Sequence, residues 1–274
     1  MTSPNLLEKR EAALPSGRPP APDISHLVTE TEDTPPPLTA AEYPDISHLI
    51  TEDDTPVDNL PSEKQQRLLT EPLYSSWAAA QPFLAAANVA VYAGVNDDSL
   101  APDMFLSLDV QVSPDWWEKR HRSYLAWEFG KVPDVAIELV SKTPGGEFTT
   151  KLERYARMRV GYYVVCDPQG YAKRERLTVF ALMGNRYQKM TAAPDLEGEV
   201  YLLTPGVPLG LTLWEGEFEA VRDIWLRWTD ERGTLIPTGK ERAEQAERLL
   251  AQERAEKEKL RAKLRELGVD RRKS

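Results

Sequence analysis

"KVPDVAIELVSKTPGGEFTTKLERYARMRVGYYVVCDP", residues 131–168, decides the fold. Residues 134–141 form an apolar run opened by proline and closed by Thr-Pro-Gly-Gly, which reads as a strand. Residues 162–167 form a second such run. Between them Phe148, Leu152, Tyr155 and Arg159 fall at helical spacing, so the segment predicts an amphipathic helix. Strand, crossing helix and strand make the pattern of a parallel βαβ unit. Two acids interrupt the first apolar run. Alternation puts Asp134, Ala136, Glu138 and Val140 on one face, and Val135, Ile137 and Leu139 on the other.

Four residues of strand separate Asp134 from Glu138 by roughly 13 Å, too far for one divalent ion with oxygen ligands at about 2.1 Å. Asp134, directly after a proline, reads as the start of the strand. A ligand partner for Glu138 must come from a neighbouring strand. "APDMFLSLDV", residues 101–110, supplies one, because a second Pro-Asp opens a second apolar run there. Adjacent strands lie about 4.8 Å apart, so Asp103 and Glu138 can clamp one Mg²⁺ between them. Val140 stands where the simplest strand-borne lysine would sit, and Lys142 lies about 13 Å along the same face. Lys151 is on the following helix, one turn before Tyr155, and flanks the packing stripe. From there its ammonium can reach back over the strand end to orient or help deprotonate a water, or to stabilise charge on a phosphate. A helix start behind Gly145-Gly146 adds partial positive charge where a phosphate would lie.

The chain has 274 residues, 41% hydrophobic and 28% charged, with mean hydropathy −0.50. That suffices for a sizeable core. No apolar run approaches the roughly 18 residues of a membrane span. The start, "MTSPNLLEKREAALPSG", has no apolar core behind a basic segment and does not read as a secretory signal. Cys166, the single cysteine, fits a reducing compartment, so a cytoplasmic location is expected. The net charge of −10 argues against a non-specific nucleic-acid coat. It concentrates in residues 1–60, with 3 basic and 12 acidic side chains, while residues 61–237 carry 19 against 24. A local basic channel is therefore compatible with the middle of the chain.

Residues 1–60 hold 10 of the 22 prolines and read as a disordered acidic tail. Within it "PDISHLVTE", residues 22–30, recurs as "PDISHLITE", residues 44–52. Two readings stand: a tandem duplication in an unconstrained tail, or a duplicated docking motif anchored by Ile24/Leu27 and Ile46/Leu49 with avidity as the gain. His26 and His48 lack neighbouring ligands for a metal. Residues 61–237 read as the folded domain, with further strands at 88–94, 103–110 and 176–183, strand or hairpin pieces at 186–190, 199–203 and 209–221, and 223–242 leading out of the domain. Residues 238–274 favour helix, begun by a capping box of Thr238 and Glu241. Ala243, Ala246, Leu250, Glu253, Lys257, Leu260, Leu264 and Leu267 share one heptad register before Gly268, which fits a coiled coil, a packed helix or a solvated single helix.

"SPDWWEKRHRSYLAWEFGK", residues 113–131, interleaves Trp116, Trp117, Tyr124 and Trp127 with Lys119, Arg120, His121 and Arg122. Stacking aromatics with phosphate-holding cations suit a nucleic-acid surface, and a hairpin arm packed on the domain or a second subunit suits them equally. Arg222, Trp225, Arg227 and Trp228 invite the same two readings. There is no GxSxG, GxxxxGK[ST] or GxGxxG, and zinc ligands are lacking.

The strand "PDVAIELVS", the helix "KLERYARMRV", the strand "YYVVCDP" and the upstream "APDMFLSL" together resemble the Uma-two family of restriction-endonuclease-like proteins, in the PD-(D/E)xK nuclease superfamily. The likeness spans roughly residues 75–230. It implies an α/β (α+β) fold with a mixed β-sheet core flanked by helices, and a Mg²⁺-dependent endonuclease (Mn²⁺ substituting) acting on DNA. It also implies Asp103 and Glu138 as metal ligands, Lys151 as the superfamily's lysine displaced onto the helix, and Tyr155 in support. Tyr162 replaces the family's usual acid ahead of the aromatic pair in the strand at 162–167. An acid carried by many such nucleases on a first helix corresponds to Glu63 or Glu71. The alternative is a catalytically inactive nuclease-like domain used for DNA binding or protein assembly, as a homodimer or with a partner held through residues 22–52 or 238–267.

Overall fold

The computed structural model describes residues 44–49, 59–115, 117–142 and 145–266. Of the tail of residues 1–60 expected to be disordered, residues 1–43, with the first repeat copy, and 50–58 lie outside the described residues, as do Trp116 and Leu267 with Gly268. The chain divides into two units between Pro44 and Asp45, and the second holds every element that follows.

In chain order these are α1 (Leu60–Ser75), β1 (Phe83–Ala86), β2 (Val91–Tyr92), β3 (Met104–Leu108), β4 (Tyr124–Leu125), α2 (Ala126–Phe129), β5 (Val135–Leu139), α3 (Thr150–Met158) and β6 (Tyr162–Cys166). There follow β7 (Leu177–Met183), β8 (Arg186–Lys189), β9 (Val200–Leu202), β10 (Gly210–Phe218), β11 (Val221–Thr229) and α4 (Gly239–Glu266). A six-stranded mixed sheet runs β1-β3-β5-β6-β7-β8. In it β5 and β6 are parallel and joined by α3, as the opening stretch requires. The other pairs of that sheet are antiparallel. A second sheet, β11-β10-β9, is antiparallel, and β2 pairs with β4 in parallel.

Strand alternation divides the core as the sequence predicts. Met104, Leu106, Val135, Ile137, Val164 and Cys166 face the main core, which also takes in α1 and the second sheet. Ala136, Val140, Tyr163 and Val165 face the other way, under Leu152 and Tyr155 of α3. Asn59 caps α1 by accepting from the Ser62 amide at 2.9 Å. Leu68, Leu69 and Leu73 on α1 are fully buried. Gln65 fastens the same helix to β11, its side-chain amide bonding both the N–H and the C=O of Leu226 at 2.9 Å.

Several elements differ from the sequence reading. β1 was not anticipated, because four residues rich in alanine carry little strand signal. Only two residues of the strand expected at 88–94 pair as such. The segment expected to lead out of the domain instead contributes most of β11, nine residues long and buried along its second half. There Trp225 donates to the Gly216 carbonyl and Trp228 to the Leu69 carbonyl. Arg227, 2% exposed, forks onto Glu241, bonds the Ile236 carbonyl and lies 4.8 Å over the Trp214 ring. These are packing residues. Arg159 does not continue the α3 stripe; it is the left-handed C-cap at φ 68°, and Val160 is buried instead. The capping box of α4 forms as read, with Thr238 and Glu241 exchanging side-chain to backbone bonds of 3.1 and 2.7 Å. No described residue of α4 is buried, and Leu249, Leu250, Leu260 and Leu264 are exposed. Among the described residues no helix is long and apolar enough to cross a membrane.

Candidate active site

β3 and β5 pair antiparallel with Met104 opposite Ile137 and Phe105 opposite Ala136. One step further along the same register sets Asp103 opposite Glu138, on the face that carries α3. The Pro-Asp start of β3 thus meets the far end of β5, where it brings Asp103 opposite Glu138. Asp103 Oδ2 accepts from the Leu139 amide at 2.7 Å, and its Oδ1 accepts from Gln66 Nε2 at 3.1 Å. Gln66 is itself fixed, its Oε1 accepting from Asn88 Nδ2 at 3.0 Å. Glu138 is 2% exposed. Tyr155 donates to its Oε1 at 2.7 Å, and Lys151 donates to its Oε2 at 2.7 Å.

Burial pushes the Glu138 carboxyl up to about 7, and the nearby Asp103 charge adds to this, against the lowering pull of Lys151 and Tyr155. Burial works against the Lys151 ammonium, but Glu138, with Glu147 and Asp103, outweighs it and holds the lysine above its ordinary value. Burial, then the Glu138 charge, keeps Tyr155 protonated well beyond the usual range. The cluster therefore holds one fixed hydroxyl donor, one ammonium and two carboxylates, one of which takes up a proton near neutral pH.

The loop before α3 is shaped for this. Gly146 has φ 85°, and a Cβ there would lie 2.4 Å from Thr150 Oγ1, so only glycine fits without a shift. The buried Glu147 carboxylate turns back to accept from the Gly145 amide at 2.8 and 3.0 Å. α3 starts at Thr150, later than expected, so Lys151 is its second residue and the Gly-Gly break is not itself the helix start. The Tyr155 ring rests 4.9 Å from the ring of Tyr163, whose hydroxyl bonds the Glu147 carbonyl at 2.9 Å.

Asp134 stands at the other end of β5. It accepts from the Leu108 amide at 2.8 Å and pairs with Lys131 at 2.7 Å. The two Pro-Asp motifs are structural mirrors, each aspartate closing the N–H that its partner strand leaves open. Only Asp103 also faces Glu138 and Lys151. Neither Glu63 nor Glu71 is the group that α1 turns toward Asp103: Glu63 pairs with Arg67, and Glu71 accepts from the Gly239 amide. Gln66 takes that place. It shares the inward stripe of Leu69 and Leu73 at i, i+3 and i+7, the signal that would have found it.

The aromatic and basic segment splits. Tyr124 is core, stacked on Phe129 at 4.4 Å, and Trp127 packs in a side cluster with Leu125. Trp117 is 80% exposed. Lys119 donates to the Ser47 carbonyl, Arg120 pairs with Glu118, and Arg122 bonds the Trp117 carbonyl. These residues are not part of the Asp103–Glu138–Lys151 cluster.

Among the described residues no three His, Cys, Asp or Glu side chains converge as a metal cage. Two hard carboxylates on one face nevertheless fit Mg²⁺, which keeps several waters and binds through one or two carboxylates plus substrate phosphate. Each Glu138 oxygen has a second lone pair beyond its bond to Tyr155 or Lys151. Past the C-terminal ends of β5 and β6 opens a cleft of about 670 Å³ lined by Leu139, Ser141, Lys142, Gln65 and Tyr171, and by none of Asp103, Glu138, Lys151 and Tyr155.

The family model Uma2, described as "Putative restriction endonuclease", matches residues 37–215. No curated protein matches the chain.

Proposed function

The chain belongs to the restriction-endonuclease family Uma2, and from that premise we propose that it is a Mg²⁺-dependent endonuclease hydrolysing DNA phosphodiester bonds, acting in the cytoplasm. The observation that carries this reading is the convergence of Asp103, Glu138 and Lys151 on one face at the end of the central strand pair. Asp103 and Glu138 would hold the ion, with Mn²⁺ able to replace it. When bound there, Mg²⁺ supplies an activated water and neutralises the scissile phosphate. The chain's own part is positioning and charge. Tyr155 fixes one Glu138 oxygen, so the other faces the ammonium. Gln66 and the Leu139 amide fix Asp103. Lys151, whose ammonium lies 2.7 Å from Glu138 Oε2, would orient the water or stabilise charge on the phosphate.

A second reading, a nuclease-like domain that binds without cutting, has one observation in its favour: both Glu138 oxygens are already bonded and the side chain is almost fully buried. Incubation with plasmid and single-stranded DNA in Mg²⁺ or Mn²⁺ separates the two. Wild type should cut at least about 100-fold faster than Glu138→Gln or Lys151→Ala, on the scale of single catalytic groups. Equal rates for all three, with circular dichroism showing each folded, would sink the enzymatic reading.

A further inference from the structure

The second copy of the repeat is seated on the domain. Ile46 and Leu49 pack with Tyr92, Leu125, Ala90 and Trp127, and Leu49 is 7% exposed. A tight turn aims both apolar side chains the same way: Asp45 Oδ1 accepts from the Ser47 amide at 2.9 Å, and the Leu49 amide donates to the Ile46 carbonyl at 3.1 Å. His48 Nε2 lies 3.1 Å from the Val95 carbonyl, and Lys119 Nζ donates to the Ser47 carbonyl at 2.8 Å. Every motif residue making these contacts recurs upstream, as Asp23, Ile24, Ser25, His26 and Leu27. The family match begins at residue 37, so it takes in the seated copy and leaves the other outside.

We propose that Tyr92, Leu125 and Trp127 form a binding groove for the peptide Pro-Asp-Ile-Ser-His-Leu, and that residues 22–27 of the same chain are its second ligand, exchanging with residues 44–49. The groove cannot tell the two hexapeptides apart, because they are identical over every residue that touches it. Occupancy is then set by the connection to α1: 10 residues, 50–59, for one copy and 32 residues, 28–59, for the other. Loop-closure statistics favour the shorter connection by about sixfold. Two tandem copies thus make groove coverage redundant, and a single duplication in the tail acquires a role without any change in the groove.

Hydrogen exchange on the full chain tests this, comparing wild type with I24A/L27A, I46A/L49A and the quadruple variant. Amide protection across residues 90–92 and 124–127 should be unchanged in I24A/L27A. It should fall no more than about tenfold in I46A/L49A, and by a further order of magnitude or more in the quadruple variant. In I46A/L49A, residues 22–27 should also gain protection over wild type, a readout that does not depend on the quadruple variant folding. A synthetic peptide of residues 22–30 should restore protection to the quadruple variant, and a scrambled peptide should not. Equal losses in I46A/L49A and the quadruple variant, no gain at residues 22–27, or an inert peptide would each overturn the proposal. So would protection in I46A/L49A that sedimentation shows to require a dimer, since the ligand would then belong to another copy.

Discussion

At the scale of single residues, Glu138 carries the most unusual chemistry, a carboxyl enclosed by α3 and held up to about 7 by burial. The sign of its effect on stability follows. Below its ordinary value of 4.5 the group is protonated in both folded and unfolded chains, and its contribution is fully present. As pH rises from there through about 7, the unfolded chain releases the proton while the folded one retains it, and stability is lost. The loss amounts to about 3 kcal/mol at 1.36 kcal/mol per pK unit. Urea midpoints of the metal-free protein in EDTA should therefore fall between pH 5 and pH 8, and Glu138→Gln should flatten that fall. A parallel decline in both proteins would assign it to other groups. The sequence showed that Glu138 faces the same way as Asp134 and left the partner to be inferred from strand spacing. It could not show Gln66 on Asp103, because that bond joins residues brought together by packing of α1.

At the scale of elements, the mirrored strand starts of β3 and β5 separate structure from chemistry. Asp103 and Asp134 each accept the N–H that ends the partner strand, so removing either leaves an amide unpaired at about 1–3 kcal/mol. Asp134→Ala and Asp103→Ala should thus show comparable drops in urea midpoint. DNA cutting per folded molecule should stay within about threefold for Asp134→Ala and fall at least about 100-fold for Asp103→Ala, as expected of a group at the reacting centre. Matching activity losses would mean that both aspartates act through the sheet alone. The βαβ unit was legible because its periodicities change cleanly from 2 to 3.6 and back. β11 was not, because its alternation of Arg and Trp resembles an exposed binding strip until Glu241 and Trp214 are in place to receive Arg227.

At the scale of the whole molecule, Arg227 links the second sheet to the start of α4 through Glu241 and the Ile236 carbonyl. Glu241 is held below its usual range, chiefly by Arg227 and the Thr238 backbone against the cost of burial. Arg227 is buried but Glu241 is 40% exposed, so Arg227→Ala should lower the unfolding free energy obtained from urea titration by about 1–3 kcal/mol, the cost of losing the charged fork and leaving the Ile236 carbonyl unpaired. A loss under about 1 kcal/mol would show that the Trp214 contact and the fork are incidental. The sequence by itself determined the parallel βαβ unit, the face on which Glu138 lies, the helical end of the chain and the repeat. These depend on periodicity, turn residues and caps, which act between neighbours along the chain. Only the tertiary structure decided that Asp103 stands opposite Glu138, that Lys151 and Tyr155 close on one carboxylate, and that one copy of the repeat fills a groove. Each of these is a pairing across a sheet or between elements, set by register and packing, which local pattern does not encode.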